Sequence, residues 1–127
     1  MPRSASTLRI LVAIHVLWTL LLTPAALEPR PFESITVIGW ISLALIFTVV
    51  ALDILAFAVV GRDPRLAGRL ASVGPFLLVG PVIGDQLGYF ATIPAPLPIT
   101  ALELAALVTQ VAILYVAVRL RTEPARA

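Results

Sequence analysis

Cysteine is absent from this chain, histidine occurs once, and only 13% of its 127 residues are charged. Without cysteine there are no disulfides, iron–sulfur clusters, thiolate metal sites or thiol redox steps. All nine basic residues are arginines, scattered at the ends of apolar segments with no basic run and no interleaved aromatics. The isoelectric point near 9.9 therefore does not point to nucleic acid. One histidine and three carboxylates at different depths also lack the convergent spacing of metal-binding helical bundles, so no metal and no cofactor are expected.

What the chain has instead is apolar length. Sixty per cent of its residues are hydrophobic and the mean hydropathy is +1.04, far outside the range of soluble domains. Four apolar stretches run roughly over 10–27, 36–60, 66–90 and 99–120, each close to the 20 or so residues needed to cross a bilayer. These spans use up the chain as one integral membrane domain. The expected fold is all-α, a bundle of four antiparallel transmembrane helices, and any site must lie within the bilayer or at its edge.

The connections support that division. Gly61-Arg62-Asp63-Pro64-Arg65 can close one helix with Gly61, cap the next with Asp63 and begin it with Pro64. Ile93-Pro94-Ala95-Pro96-Leu97-Pro98 favours an extended connector. With four crossings, Arg3, Arg9, Arg62, Arg65, Arg69, Arg119, Arg121 and Arg126 fall on one side and Arg30 alone on the other. The positive-inside rule then places the protein in the cell membrane with both termini cytoplasmic. Glu28, Arg30 and Glu33 lie among prolines and read as a solvated outer loop. A rival reading takes the first span as a cleavable signal peptide, with Arg3 and Arg9 before an apolar run to Leu22 and small residues at Thr23 to Ala26. His15 in mid-run counts against it.

Ionisable residues inside a span cost roughly 2.5–3.5 kcal/mol each at a helix centre, so they should face protein or water. Each span supplies one: His15, Asp53, Asp85 and Glu103. At 100° per residue they share faces with Trp18 and Thr19, Gly39 and Ser42, Leu78 and Tyr89, and Gln110, respectively. Depth sorts them into two tiers. His15, roughly 9 Å beyond Arg9, and Asp53, roughly 13 Å before Arg62, form an inner pair. Asp85, roughly 24 Å beyond Arg69, and Glu103, roughly 7 Å past Pro98, form an outer pair that shares a proton. The structural alternatives are a capping box for Thr100-Ala101-Leu102-Glu103, a register-fixing role for Asp53, and simple packing for His15. The third span also carries Pro75 and Pro81, which imply a kink, and Gly80, Gly84 and Gly88, which imply a close-packing ridge.

The run Ala51-Leu52-Asp53-Ile54-Leu55-Ala56-Phe57-Ala58-Val59-Val60-Gly61-Arg62, followed by Leu66-Ala67-Gly68-Arg69-Leu70-Ala71, resembles the DoxX-like four-helix membrane proteins. It covers about a quarter of the chain, and the first span lacks the glycine and lysine associated with that group. The resemblance implies a compact four-helix membrane bundle, in some cases attached to quinone-linked oxidoreductases, and carries over only Asp53.

Three functions follow from these residues. The first is binding or acid–base transformation of a lipophilic small molecule (isomerase, hydrolase or cyclase type). Asp85, Glu103, Asp53 and His15 are its catalytic candidates, and Trp18, Trp40, Tyr89 and Gln110 its substrate contacts. The second is an accessory subunit in a homo-oligomer or larger complex, docked through Gly80, Gly84 and Gly88. The third is a proton-coupled transporter or channel, weakened by the lack of an internal repeat. In each case membrane lipids are partners.

Overall fold

The computed structural model describes residues 3–27 and 30–122, with 23–27 described as backbone; Glu28, Arg126 and the side chains of Thr23–Ala26 lie outside the described residues. Within them the chain forms four α-helices, α1 (Arg3–Leu27), α2 (Val37–Val59), α3 (Pro64–Gln86) and α4 (Leu97–Thr122), with a short 3-10 turn at Phe32–Ser34. All four are long and apolar enough to cross a membrane. Each consecutive pair packs together, and α1 also packs on α4, which closes the antiparallel bundle. Leu17, Phe76, Val108 and other large apolar side chains face outward, as a bilayer solvent permits.

Local chemistry sets the helix ends. Asp63 accepts from the Leu66 amide at 2.9 Å and Pro64 opens α3, as its sequence indicates. Gly61 does not take the left-handed conformation that would close α2, because that helix ends in right-handed backbone at Val60. At the opposite end of the bundle Thr36 caps α2, its hydroxyl accepting from the Gly39 amide at 3.0 Å. Gly88 is left-handed, with φ 84°, and terminates α3. The Gly88 amide reaches Asp85 O at 3.1 Å and the Tyr89 amide reaches Gly84 O at 2.8 Å, a Schellman arrangement. The third span thus stops at Gln86 instead of running to Phe90. The helix runs unbroken through Pro75 and Pro81, both buried.

The two outer connections are stitched together. Thr36 donates its amide to Phe90 O at 3.0 Å, Thr92 donates to Ser34 O at 2.8 Å, and Ile35 and Ala91 form an antiparallel bridge. The Thr36 hydroxyl also donates to Tyr89 O. At the other end, Ala5, Leu8, Val60, Ala67, Ala117 and Leu120 make a core of small and aliphatic side chains. Close approach there needs Gly68, whose place a Cβ could not take without meeting Ala117 O at 2.7 Å.

The Gly80/Gly84/Gly88 ridge plays no part in this packing. A Cβ added at any of the three meets nothing within 4 Å. The close contacts belong instead to Gly39, Gly68 and Gly74, whose added Cβ would meet Phe90 O, Ala117 O and Gln110 Oε1 at 2.1, 2.7 and 2.9 Å.

Candidate functional site

The inner tier forms as its depths indicate. α1 presents His15 and α2 presents Asp53, both fully buried, with His15 Nδ1 2.6 Å from Asp53 Oδ2. α4 adds Gln110, whose Nε2 donates to the same oxygen at 3.2 Å. Gln110, expected as a substrate contact, thus holds the carboxylate of Asp53. Three polar atoms of this cluster have no partner among the described residues: His15 Nε2, Asp53 Oδ1 and Gln110 Oε1. An unfilled buried polar atom costs about 1–3 kcal/mol, so a cluster carrying three is poorly explained as helix glue alone.

The outer tier differs from the expected carboxylate pair by one residue. Arg30, read from its proline-rich surroundings as part of a solvated loop, is only 1% exposed. Its two terminal nitrogens donate to the two oxygens of Asp85 at 2.7 and 3.1 Å, and its guanidinium lies 5.0 Å from the centre of the Phe90 ring. The geometry is the two-pronged fork that arginine makes with carboxylates, and it draws Arg30 out of water. Glu33, from the same stretch, is exposed as expected.

Glu103 stands beside this pair. It lines the same cavity wall as Asp85, and its Oε2 accepts from Gln86 Nε2 at 2.7 Å. Gln86 also exchanges hydrogen bonds with the Thr100 hydroxyl at 3.2 and 3.3 Å. The expected capping box is therefore not the arrangement found. α4 already begins at Leu97, the Thr100 amide is used by Pro96 O at 3.1 Å, and Glu103 turns to α3.

Arg30, Asp85 and Glu103 lie on the wall of a cavity of about 50 Å³. Thr19 is the other polar residue in that wall, and the remainder is apolar, including Leu43, Ile46, Leu78, Phe90 and Ala106. At roughly 10–15 Å³ per water-sized occupant, this volume holds a few waters or the functional group of a larger molecule. His15, Asp53 and Gln110 are not in this wall. The four ionisable groups thus divide between two places, and Thr19, whose hydroxyl donates to His15 O at 2.9 Å, stands between them.

The aromatic residues expected to shape a pocket do so only in part. Trp18 packs behind the wall against Leu78, Val82 and Ala106. Trp40 is 48% exposed and stacks on Phe32 with ring centres 6.0 Å apart, while Tyr89 is 57% exposed. Neither lines the cavity. An amphipathic ring at a helix end is stabilised at the lipid–water interface without any ligand.

The residue missed from sequence is Arg30. The available signal was electrostatic: Asp85 lies in the third apolar stretch with no local cation, and Arg30 is the one arginine at that end of the bundle. Chemically, the outer site offers a fixed ion pair, a carboxyl group and apolar walls; the inner offers an imidazole–carboxylate pair with open valences. No cluster of three metal-ligating side chains occurs among the described residues. No family model, curated protein or solved structure matches the chain, so both sites are read from their own geometry.

Proposed function

We propose that this chain is a multipass protein of the cell membrane, with both termini cytoplasmic, that binds a lipophilic small molecule in the outer cavity and transforms it by acid–base chemistry. The observation that carries this reading is the Arg30–Asp85–Glu103 cluster in an otherwise apolar cavity wall. Arg30 fixes the charge and orientation of Asp85. Asp85 and Glu103 share that wall, and two carboxyls side by side in low dielectric hold one proton between them, the proton available to a ligand. Isomerase, hydrolase or cyclase chemistry needs no more than a proton donor and acceptor in such a place.

Orientation follows from charge. The described arginines Arg3, Arg9, Arg62, Arg65, Arg69, Arg119 and Arg121 belong to one end of the bundle, and Arg30 at the other is consumed by Asp85. Kinship with the DoxX-like proteins is proposed on the Asp53 region and on the four-helix architecture. The test of function is turnover or binding of candidate lipophilic substrates by Asp85→Asn and Glu103→Gln variants in proteoliposomes. Loss in both is expected, and full retention in both would remove the reading.

A second reading, an accessory subunit of an oligomer or larger complex, is favoured by the open backbone at Gly80 and Gly84, which nothing among the described residues covers. Native mass spectrometry after gentle extraction tests it. A lone monomer counts against it.

A further inference from the structure

We propose that the groove between α1 and α2 seats one acyl chain of an anionic phospholipid whose phosphate is held by Arg9 at the groove's mouth. Arg9, Ala13 and Leu17 recur every four residues and so lie along one stripe of α1. Ala13 and Leu17, with Phe57 and Ile54 across from them on α2, bound an open groove of about 360 Å³. Asp53 behind it is fully buried and bonded to His15 and Gln110, which leaves the groove surface apolar. An apolar trough on the outside of a membrane bundle takes a hydrocarbon chain.

What selects one lipid over another is Arg9. Its guanidinium lies 4.9 Å from the centre of the ring of Phe57, a groove residue in the last turn of α2, which puts it at the arginine-rich end of the bundle. Stacking on a ring fixes the guanidinium plane and uses none of its N–H groups, which point outward in that plane. Arg9 makes no hydrogen bond or ion pair with any other described residue; packing encloses its Nε, and its terminal nitrogens stay accessible. The one acid described at that end, Asp63, caps α3 through the Leu66 amide. Unused forked donors beside an apolar trough match a phosphate diester on a hydrocarbon tail. The phosphate takes the N–H groups, and the chain runs from Arg9 toward Leu17, roughly 12 Å along the helix. A zwitterionic headgroup carries its own cation and gains less from the positive end. The groove shares no lining residue with the outer cavity, so the site is independent of the function proposed for that cavity.

The test uses the full chain in phosphatidylcholine nanodiscs that carry a trace of photoactivatable phosphatidylglycerol, or of phosphatidylcholine with the same mid-chain diazirine. Peptides covering residues 12–17 and 53–57 are then read for covalent label by mass spectrometry. Phosphatidylglycerol is expected to label them about fivefold more than phosphatidylcholine, the ratio that one arginine near the surface contributes. Arg9→Gln is expected to erase that preference, whereas Arg121→Gln, which removes the same charge from a side chain beside Gly68 of α3, is expected to keep it. Equal labelling of the wild-type protein by the two lipids would overturn the proposal and identify the groove as unselective lipid contact. An equal loss of preference in both variants would also overturn it, by assigning the preference to the general positive charge of that end. A diazirine fatty acid that labels the same peptides more than phosphatidylglycerol at equal mole fraction would overturn phospholipid as the occupant. Because the wild-type comparison needs no variant, misfolding of Arg9→Gln does not blur it.

Discussion

Arg30 and Asp85, 55 residues apart, meet through two parallel hydrogen bonds of 2.7 and 3.1 Å and tie the first outer connection to the end of α3. The pair sits where the outer connections are stitched to one another, so it acts on both the cavity wall and the closure of the bundle. Removing one member of a buried ion pair leaves the other uncompensated, at about 3–5 kcal/mol. Arg30→Gln is therefore expected to lower the free energy of denaturant unfolding in detergent by that amount. The double variant Arg30→Met/Asp85→Leu is expected to recover most of the loss, because two apolar side chains leave no orphaned charge. Equal losses in the single and double variants would show that the ion pair is not what Arg30 contributes.

The inner pair is expected to be energetically coupled. Polar contacts between membrane helices contribute about 0.6 kcal/mol on average and up to about 1.7 kcal/mol by double-mutant cycles. A 2.6 Å contact between two fully buried groups belongs at the upper end. The cycle formed by His15→Leu and Asp53→Asn is expected to give a coupling above about 1 kcal/mol by unfolding in mixed micelles. Additive single effects would place the two side chains apart.

Glycines separate cleanly by environment. A Cβ at Gly39 would sit 2.1 Å from Phe90 O, which is itself held by the Thr36 amide, so the neighbour cannot yield. Gly39→Ala is expected to destabilise the bundle by about 1–3 kcal/mol. Gly80→Ala meets nothing within 4 Å and is expected to stay within about 0.5 kcal/mol of the parent. Thermal melting of the two variants side by side reads the contrast, and a reversal would reassign the packing seam to the outer face of α3.

Glu103→Gln should separate function from stability. Glu103 is half-buried and bonded to Gln86, and an amide can keep one bond to that partner while losing the transferable proton. Unfolding within about 1 kcal/mol of the parent, together with loss of acid–base turnover, is expected. Stability that collapses along with activity would make Glu103 a structural group.

Much of this arrangement is legible from residue order because bilayer physics leaves few choices. An ionisable group in a span must turn inward, and rise per residue gives its depth, so the meeting of His15 and Asp53 follows from counting along two helices. Asp63 and Pro64 carry their own capping chemistry and mark the start of α3 correctly. Three features resist the same reading. Arg30 sits among prolines outside the spans, and nothing in its neighbourhood says that it folds back onto a carboxylate 55 residues later. Gly88 completes a spacing of four that mimics a packing ridge, yet it is the left-handed residue that ends α3, a distinction set by φ and invisible in spacing. Thr100 and Glu103 match a capping box, but the pattern is satisfied only at a helix start. The prolines at 96 and 98 place that start earlier, at Leu97.

The most direct test of the outer cavity as a ligand site is a comparison of the small molecules that co-purify with three proteins extracted gently from the same membranes. These are the parent, Glu103→Gln and Ala106→Trp, the last filling the cavity from α4. Extracts are quantified by mass spectrometry and normalised to protein. A lipophilic species other than bulk phospholipid, present with the parent and depleted about tenfold or more in both variants, is the expected result. Identical inventories for all three proteins would contradict the cavity's role in binding.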